Sequence, residues 1–241
     1  MRKRILIVND DGIHAEGLRK LAESAVRYGP VWVVAPAEQC SAMSQKISVF
    51  NKITIMPCSF PIAVEGAWSV NGTPADCIKV ALNSLMPIRP DIVLSGINNG
   101  YNAGFDIAYS GTVGAAMEAL MQGIPAIAFS NGYHGSFETA DIYLPLLLED
   151  LMLTPLPPNE IWNVNFPGIP LDECRGIQTD CEIAPIQLYQ DAFLREELEN
   201  DVFTLHNHGI ASTAEEAPEG SDVKAVLSGF VSVGTVRCSV L

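Results

Sequence analysis

No apolar run in this 241-residue chain approaches the ~20 residues that a helix needs to span a bilayer. The basic start, Met1 to Arg4, is followed by four apolar residues before Asn9, short of the roughly 7–15 of a secretory core region. A cytoplasmic protein is therefore expected. Positive charge is scarce as well: 14 lysines and arginines face 28 aspartates and glutamates, for a formal net charge of −14. Nucleic-acid polymers and anionic membranes reward basic patches, so neither is an expected partner. The six cysteines (Cys40, Cys58, Cys77, Cys174, Cys181, Cys238) form no C-x-x-C pair and no Cys/His zinc spacing. Reduced thiols are the expectation, with Cys40 set apart by its place in a candidate site loop. The chain has no internal repeat and no low-complexity tract.

What is present begins at Ile5-Leu6-Ile7-Val8, which runs straight into Asn9-Asp10-Asp11-Gly12. A short unbroken apolar run reads as a parallel strand buried on both faces. The helical pattern from Ala15 to Tyr28 then makes this the opening of a β-α unit. Ligands of open α/β sheets bind beyond the carboxyl ends of the strands, where Asp10 and Asp11 fall. Adjacent carboxylates repel each other and resist desolvation. A hard divalent cation relieves both penalties, so a metal site is expected at this turn. The acidic turn replaces the G-x-G-x-x-G cradle of a dinucleotide enzyme, which excludes that class. It also lacks the D-x-D spacing expected of an aspartyl-nucleophile phosphatase.

Further buried strands are expected at Val31–Ala35, Asp91–Ser95, Ile124–Ser130 and Ile161–Pro167, with a helix over Phe137–Leu151. The polar loop Ala37–Lys46 follows a strand end and carries Ser41 and Ser44. Residues Ile47–Val70 read as a β-excursion, a hairpin beside the main sheet. Thr73-Pro74-Ala75-Asp76 has the N-cap, first-turn proline and first-turn acid of a helix start, with Ala75–Leu85 as its body. Gly96 to Asp106 reads as a long loop whose asparagine carbonyls suit a hard metal and whose amides suit phosphate oxygens. Tyr109 to Met117 is a small-residue helix entry, an anion site by its free N–H groups and dipole. Past Pro170 the pattern degrades. Glu196–Asp201 is a charge run, His206 and His208 share one face of a possible strand, and Val223–Val226 and Gly229–Val240 read as closing strands. The expected architecture is α/β: a doubly wound, mostly parallel Rossmann-like sheet with a β-hairpin excursion, and C-terminal strands forming an oligomerisation extension. Residues 1–170 would be the catalytic part and 171–241 the extension, arm and closing strands, within one structural domain.

These motifs together resemble the survival-protein SurE family of 5′/3′-nucleotidases. The resemblance runs through Ile5 to Ile13 with Gly17, Val34-Ala35-Pro36 with Ser41, and Asn71 to Cys77. It continues through Ser95-Gly96-Ile97-Asn98 with Gly100, Asn102 and Gly104, and then Ser110-Gly111-Thr112-Val113. It covers residues 4 to about 130 in order, and returns weakly at the C-terminus. The chain departs from the family pattern at Cys40, at Ala42–Lys46 and at Tyr101. It also lacks the family's aromatic, arginine-rich arm between Cys174 and Pro218.

The resemblance implies a metal-dependent phosphomonoesterase that hydrolyses nucleoside 5′-monophosphates to nucleoside and phosphate, with 3′-monophosphates left open as further substrates. Asp10, Asp11, Ser41 and Asn98 would hold one divalent cation, Mg²⁺ or Mn²⁺. Asn102, Ser110, Gly111 and Thr112 would hold the phosphate. Asp10, Asp11 and Asn102 would carry the catalysis, an in-line attack of water on phosphorus. A homodimer or homotetramer is expected. The alternative is a phosphate- or nucleotide-binding protein of the same fold with little or no turnover.

Overall fold

Residues Ile5–Val8 (β1) have no exposed surface, and a strand with two buried faces needs a covering layer on each side. The computed structural model, which describes residues 2–198 and 201–241, supplies both layers. After β1 come α1 (Glu16–Ala25), β2 (Val31–Pro36), β3 (Ile55–Pro57), β4 (Gly66–Val70), α2 (Pro74–Val80), β5 (Ile92–Asn99) and α3 (Gly111–Met121). Then follow β6 (Ala126–Asn131), α4 (Glu138–Leu151), β7 (Glu160–Phe166), β8 (Ile177–Cys181), β9 (Tyr189–Gln190) and β10 (Phe193–Glu197). The chain closes with β11 (Phe203–Asn207), β12 (Ile210–Ala211), α5 (Asp222–Leu227) and β13 (Val231–Arg237).

The main sheet has nine strands in the order β3-β4-β2-β1-β5-β6-β7-β13-β8. The run from β4 to β7 is parallel throughout. The strands β3 and β13 pair antiparallel with β4 and β7. Side chains alternate between faces along each strand. Ile5, Ile7, Val33 and Leu94 therefore meet α1 and α4, while Leu6, Val8, Val34 and Val93 meet α2 and α3. Helix α1 repeats its apolar residues at helical spacing (Leu18, Leu21, Ala22, Ala25), so one stripe is buried. After β1 the chain builds outward through β2 and β4, then returns to place β5 on β1's other side. The order reverses between β1 and β5, so the crevice of this fold lies at their carboxyl ends. Among the described residues, no helix is long and apolar enough to cross a membrane.

Close contact between α1 and β5 fixes that crevice. A Cβ on Gly17 would lie 2.0 Å from the carbonyl oxygen of Ile97. Backbone cannot yield as a flexible side chain does. Gly17→Ala is expected to lower unfolding free energy by about 2–3 kcal/mol, read as an earlier midpoint in urea. An unmoved midpoint would show that this contact has slack.

Several elements differ from the sequence reading. The excursion forms its hairpin, β3 antiparallel to β4, but extends the sheet instead of standing beside it: β4 joins parallel to β2, and β3 forms the edge. Residues 47–54 contribute no strand. Helix α2 ends at Val80 and passes into one wide turn over Ala81–Leu85, closed by the Met86 N–H donating to Ala81 O. Gly96–Asn99, read as loop, continue β5, because Asn98 and Asn99 pair with Ser130 and Asn131 after a register shift. Val223–Val226, read as a strand, lie in α5. There the Ser221 hydroxyl caps by accepting from Lys224 N, and Val223 packs with Ala103, Ala184 and Leu188. Of the two histidines, His206 lies in β11 and His208 just beyond it, both exposed, and the His206 ring faces Glu196 at 3.3 Å. No group of three or more His, Cys, Asp or Glu gathers among the described residues. Within the charge run Glu196–Asp201, Glu199 and Asn200 lie outside the described residues.

Candidate active site

Chain order brings the acidic turn, the serine loop and the start of α3 to one corner. Asp10 is 3 % exposed. Its carboxylate accepts from the Thr112 hydroxyl at 2.6 Å and from Thr112 N at 3.2 Å. Its carbonyl accepts from Cys40 N at 2.7 Å, tying the serine loop to the end of β1. Burial pushes the Asp10 carboxyl up to about 6; the Thr112 hydroxyl opposes this and the neighbouring Asp11 charge adds to it. Asp11 turns the other way. It accepts from Asn99 N at 2.8 Å and faces Gln39 Nε2 at 3.4 Å. Burial raises its carboxyl too, and the Asn99 N–H acts against that.

Gly111 is what lets α3 approach. A Cβ there would lie 2.9 Å from both Cβ and Oδ2 of Asp10 and 3.2 Å from the Cys40 carbonyl oxygen. Gly114, one turn along, packs as closely on Ser44, where a Cβ would lie 2.2 Å from the carbonyl oxygen. Ser110 caps α3, its hydroxyl accepting from Val113 N. Ser95 donates to the Thr112 carbonyl at 2.7 Å, which joins β5 to the same turn.

Ser41 is exposed, and its hydroxyl accepts from Gln39 Nε2 at 3.0 Å, the same nitrogen that faces Asp11. The serine loop is anchored from α2. The Thr73 hydroxyl donates to the Lys46 carbonyl, and the Asp76 carboxylate accepts from Ser48 N at 2.9 Å. Thr73 and Asp76 also form a capping box, so one motif starts the helix and holds the loop. Ala42 and Ser44 adopt left-handed φ of 56° and 49°, a conformation that favours glycine. These two lie in the Ala42–Lys46 segment that departs from the family pattern.

Asn98 donates from Nδ2 to the Gly100 carbonyl at 2.7 Å, which orients its carbonyl oxygen. Asn102 is buried and donates from Nδ2 to the Ser130 hydroxyl at 2.8 Å. The β5–β6 register sets Ser130 opposite Asn98, so both asparagines reach the same corner. A cavity of 430 Å³ opens beside Asp11, with Gln39, Asn99, His134 and Phe137 in its wall. A second, of 360 Å³, lies across the Gln39–Cys40 ridge against Asn71–Thr73. Each suits a small molecule. A 460 Å³ apolar cavity at the opposite end of the strands, lined by Leu120, Ile124 and Trp162, includes none of these groups.

The structure thus gathers Asp10, Asp11, Ser41, Asn98, Ser110, Gly111 and Thr112 around one crevice, with Asn102 on its β6 side. It gives the Ser110 hydroxyl to helix capping and the Thr112 hydroxyl to Asp10. Sequence reasoning passed over Gln39, Ser130, Asn163 and Asn165, and it grouped Asn99 with the loop asparagines without seeing that its N–H holds Asp11. For Asn163 and Asn165 a signal existed: alternate asparagines in an otherwise apolar strand mark one polar face.

Fold and corner together define a class: a doubly wound α/β protein whose crevice at the β1/β5 switch point joins an acidic strand end to a glycine-opened helix start. Comparison then fixes the family. A profile of the Survival protein SurE family matches residues 5–185, and the chain belongs to that family. It is 43% identical over 176 residues to a protein named 5′-nucleotidase SurE from Protochlamydia amoebophila, covering 72% of this chain and 67% of that one. It is 38% identical over 238 residues to a protein of the same name from Heliobacterium modesticaldum, covering 97% of this chain and 86% of that one. The crystal structure of the SurE protein from Aquifex aeolicus superposes with a TM-score of 0.82 at 32% identity, covering 97% of this chain and 93% of that one.

Proposed function

We propose that this chain is a metal-dependent 5′-nucleotidase, hydrolysing nucleoside 5′-monophosphates to nucleoside and phosphate. The observation that carries the reading is the meeting of Asp10, in the Asp10-Asp11 turn, with the start of α3 at the switch point. Relatives of nearly the same length, named 5′-nucleotidase SurE, support it.

The donor chemistry fits a hard cation. Asp10 and Asp11 supply carboxylates, Ser41 a hydroxyl and Asn98 an amide carbonyl, an all-oxygen set that suits Mg²⁺ or Mn²⁺. Among the described residues, no lysine, arginine or histidine forms an ion pair with either carboxylate. The side-chain carbonyl of the adjoining Asn9 is buried with no hydrogen-bond partner.

When bound, the cation lowers the pKa of water and withdraws charge from the phosphoester. The chain does the rest. Val113 N is taken by the Ser110 hydroxyl and Thr112 N by Asp10, which leaves the Gly111 amide of the first turn for a phosphate oxygen. The second Nδ2 hydrogen of Asn102 serves another phosphate oxygen. These donors are fixed before substrate arrives, so they stabilise charge developing on the equatorial oxygens at little reorganisation cost. The two cavities beside Asp11 and Cys40 have room for a nucleoside.

The same reading makes the protein a cytoplasmic homodimer or homotetramer. Six free cysteines suit a reducing compartment. Exposed Phe193, Leu194, Phe203 and Leu205 on the β10–β11 hairpin suit burial against a second copy.

A panel of nucleoside monophosphates, assayed for phosphate release in EDTA and after adding back Mn²⁺ or Mg²⁺, tests the function. Turnover should vanish in chelator and return with metal. Tight nucleotide binding without release under any metal would make it a binding protein instead.

A further inference from the structure

We propose that Asn165 is a positioning residue for phosphate capture, acting through Asn102; this rests on the reading of Asn102 as a phosphate ligand. Asn165 sits in β7 and is fully buried. Its Oδ1 accepts from Asn102 N at 2.9 Å, while its Nδ2 donates to the Asn102 carbonyl at 3.1 Å. One carboxamide thus holds both peptide groups of a single residue, as a neighbouring strand would. Asn163, two residues earlier and so on the same face, also donates to the Asn102 carbonyl, at 2.9 Å.

The loop needs such a clamp. Asn102 lies between Gly100 and Gly104, whose φ of 137° and 57° belong to the region that glycine favours. Permissive hinges on either side leave the backbone of Asn102 undetermined by local sequence. The clamp removes that freedom, and the Ser130 hydroxyl fixes the side chain that follows from it.

Stability alone does not account for the asparagines. Ile161, on the same face of β7, is apolar and packs in the core beneath α3. Burying two amides beyond it carries a desolvation cost, and the Asn163 side-chain oxygen is left without a partner. A buried polar network of this kind specifies a geometry. Here the geometry specified is the position of Asn102.

The test measures inhibition by inorganic phosphate, KM and kcat for one nucleoside monophosphate, and Mn²⁺ affinity by calorimetry. It compares wild type, Asn165→Ala, the volume-conserving Asn165→Asp, Asn102→Ala and the double variant Asn102→Ala/Asn165→Ala. Both Asn165 variants should weaken phosphate inhibition and raise KM by about tenfold or more, with Mn²⁺ affinity within about threefold of wild type. Asn165→Asp keeps the fold testable should the alanine variant not fold. Because Asn165 acts through Asn102, its loss should add nothing once Asn102 is alanine. Unchanged phosphate inhibition in Asn102→Ala would overturn the underlying reading of Asn102, and this inference with it. A weakened Asn102→Ala beside unaffected Asn165 variants, or effects that multiply in the double variant, would overturn the positioning role alone.

Discussion

Asp10→Asn is expected to cut phosphate release from AMP or GMP at least about a thousandfold, equivalent to about 4 kcal/mol of lost transition-state stabilisation. The size follows from what the substitution removes. Asp10 is the more buried of the two carboxylates, and the one bound to the start of α3. Asparagine keeps an oxygen for the Thr112 hydroxyl, gives up the acceptor for Thr112 N, and removes the negative charge that attracts a cation. Burial already disfavours that charge, holding the carboxyl up near 6. The metal-free variant should therefore fold as well as wild type or better, with an unchanged circular dichroism spectrum and a melting midpoint no lower. Near-normal turnover would mean that the metal and the chemistry lie elsewhere.

Gly111→Ala is expected to separate activity from stability in the same way by a purely steric route. The added methyl would stand 2.9 Å from Asp10 Oδ2, closer than such atoms pack, and 3.2 Å from a backbone carbonyl that has little room to move. The carboxylate must swing away and, because the methyl also meets Asp10 Cβ at 2.9 Å, the turn must shift with it, which breaks the bond from Thr112 N. Turnover should fall about a hundredfold and Mn²⁺ affinity at least about tenfold, since a ligand misplaced by an ångström loses most of its effect. Stability should fall by no more than about 2 kcal/mol, because overpacking costs about 1–3 kcal/mol and exchanging glycine for alanine in a helix returns up to about 1. Urea unfolding beside steady-state kinetics reads both. A large loss of stability with activity intact would mean that Gly111 serves packing alone.

The parts of the molecule legible in sequence are those where local pattern and tertiary role coincide. Ile5–Val8 read as a doubly buried strand because the central strand of a parallel sheet has no polar face to break the run. Thr73-Pro74-Asp76 read as a helix start because the capping box closes within four residues. The acid pair stood out because nothing in a strand end requires it. Features set by distant partners did not read. Gly96–Asn99 look like a turn, yet β6 draws them into the sheet. Val223–Val226 look like a strand, yet the Ser221 cap and packing against Ala103 and Leu188 fold them into a helix. Ser41 is set near the acids by its loop's position after a strand end and by the family resemblance, not by any local pattern of its own. Lys46 and Ser48, which hold that loop, find their partners 27 and 28 residues away. The clamp on Asn102 spans more than sixty residues, with separations of 61 and 63, although the alternation of Asn163 and Asn165 was visible.

The most direct measurement is anomalous diffraction from a crystal soaked in manganese. The expected result is one strong peak at this corner, about 2.0–2.3 Å from oxygens of Asp10, Asp11, Ser41 and Asn98. A clean map with no peak between the two acids, at a manganese concentration that sustains turnover, would contradict it.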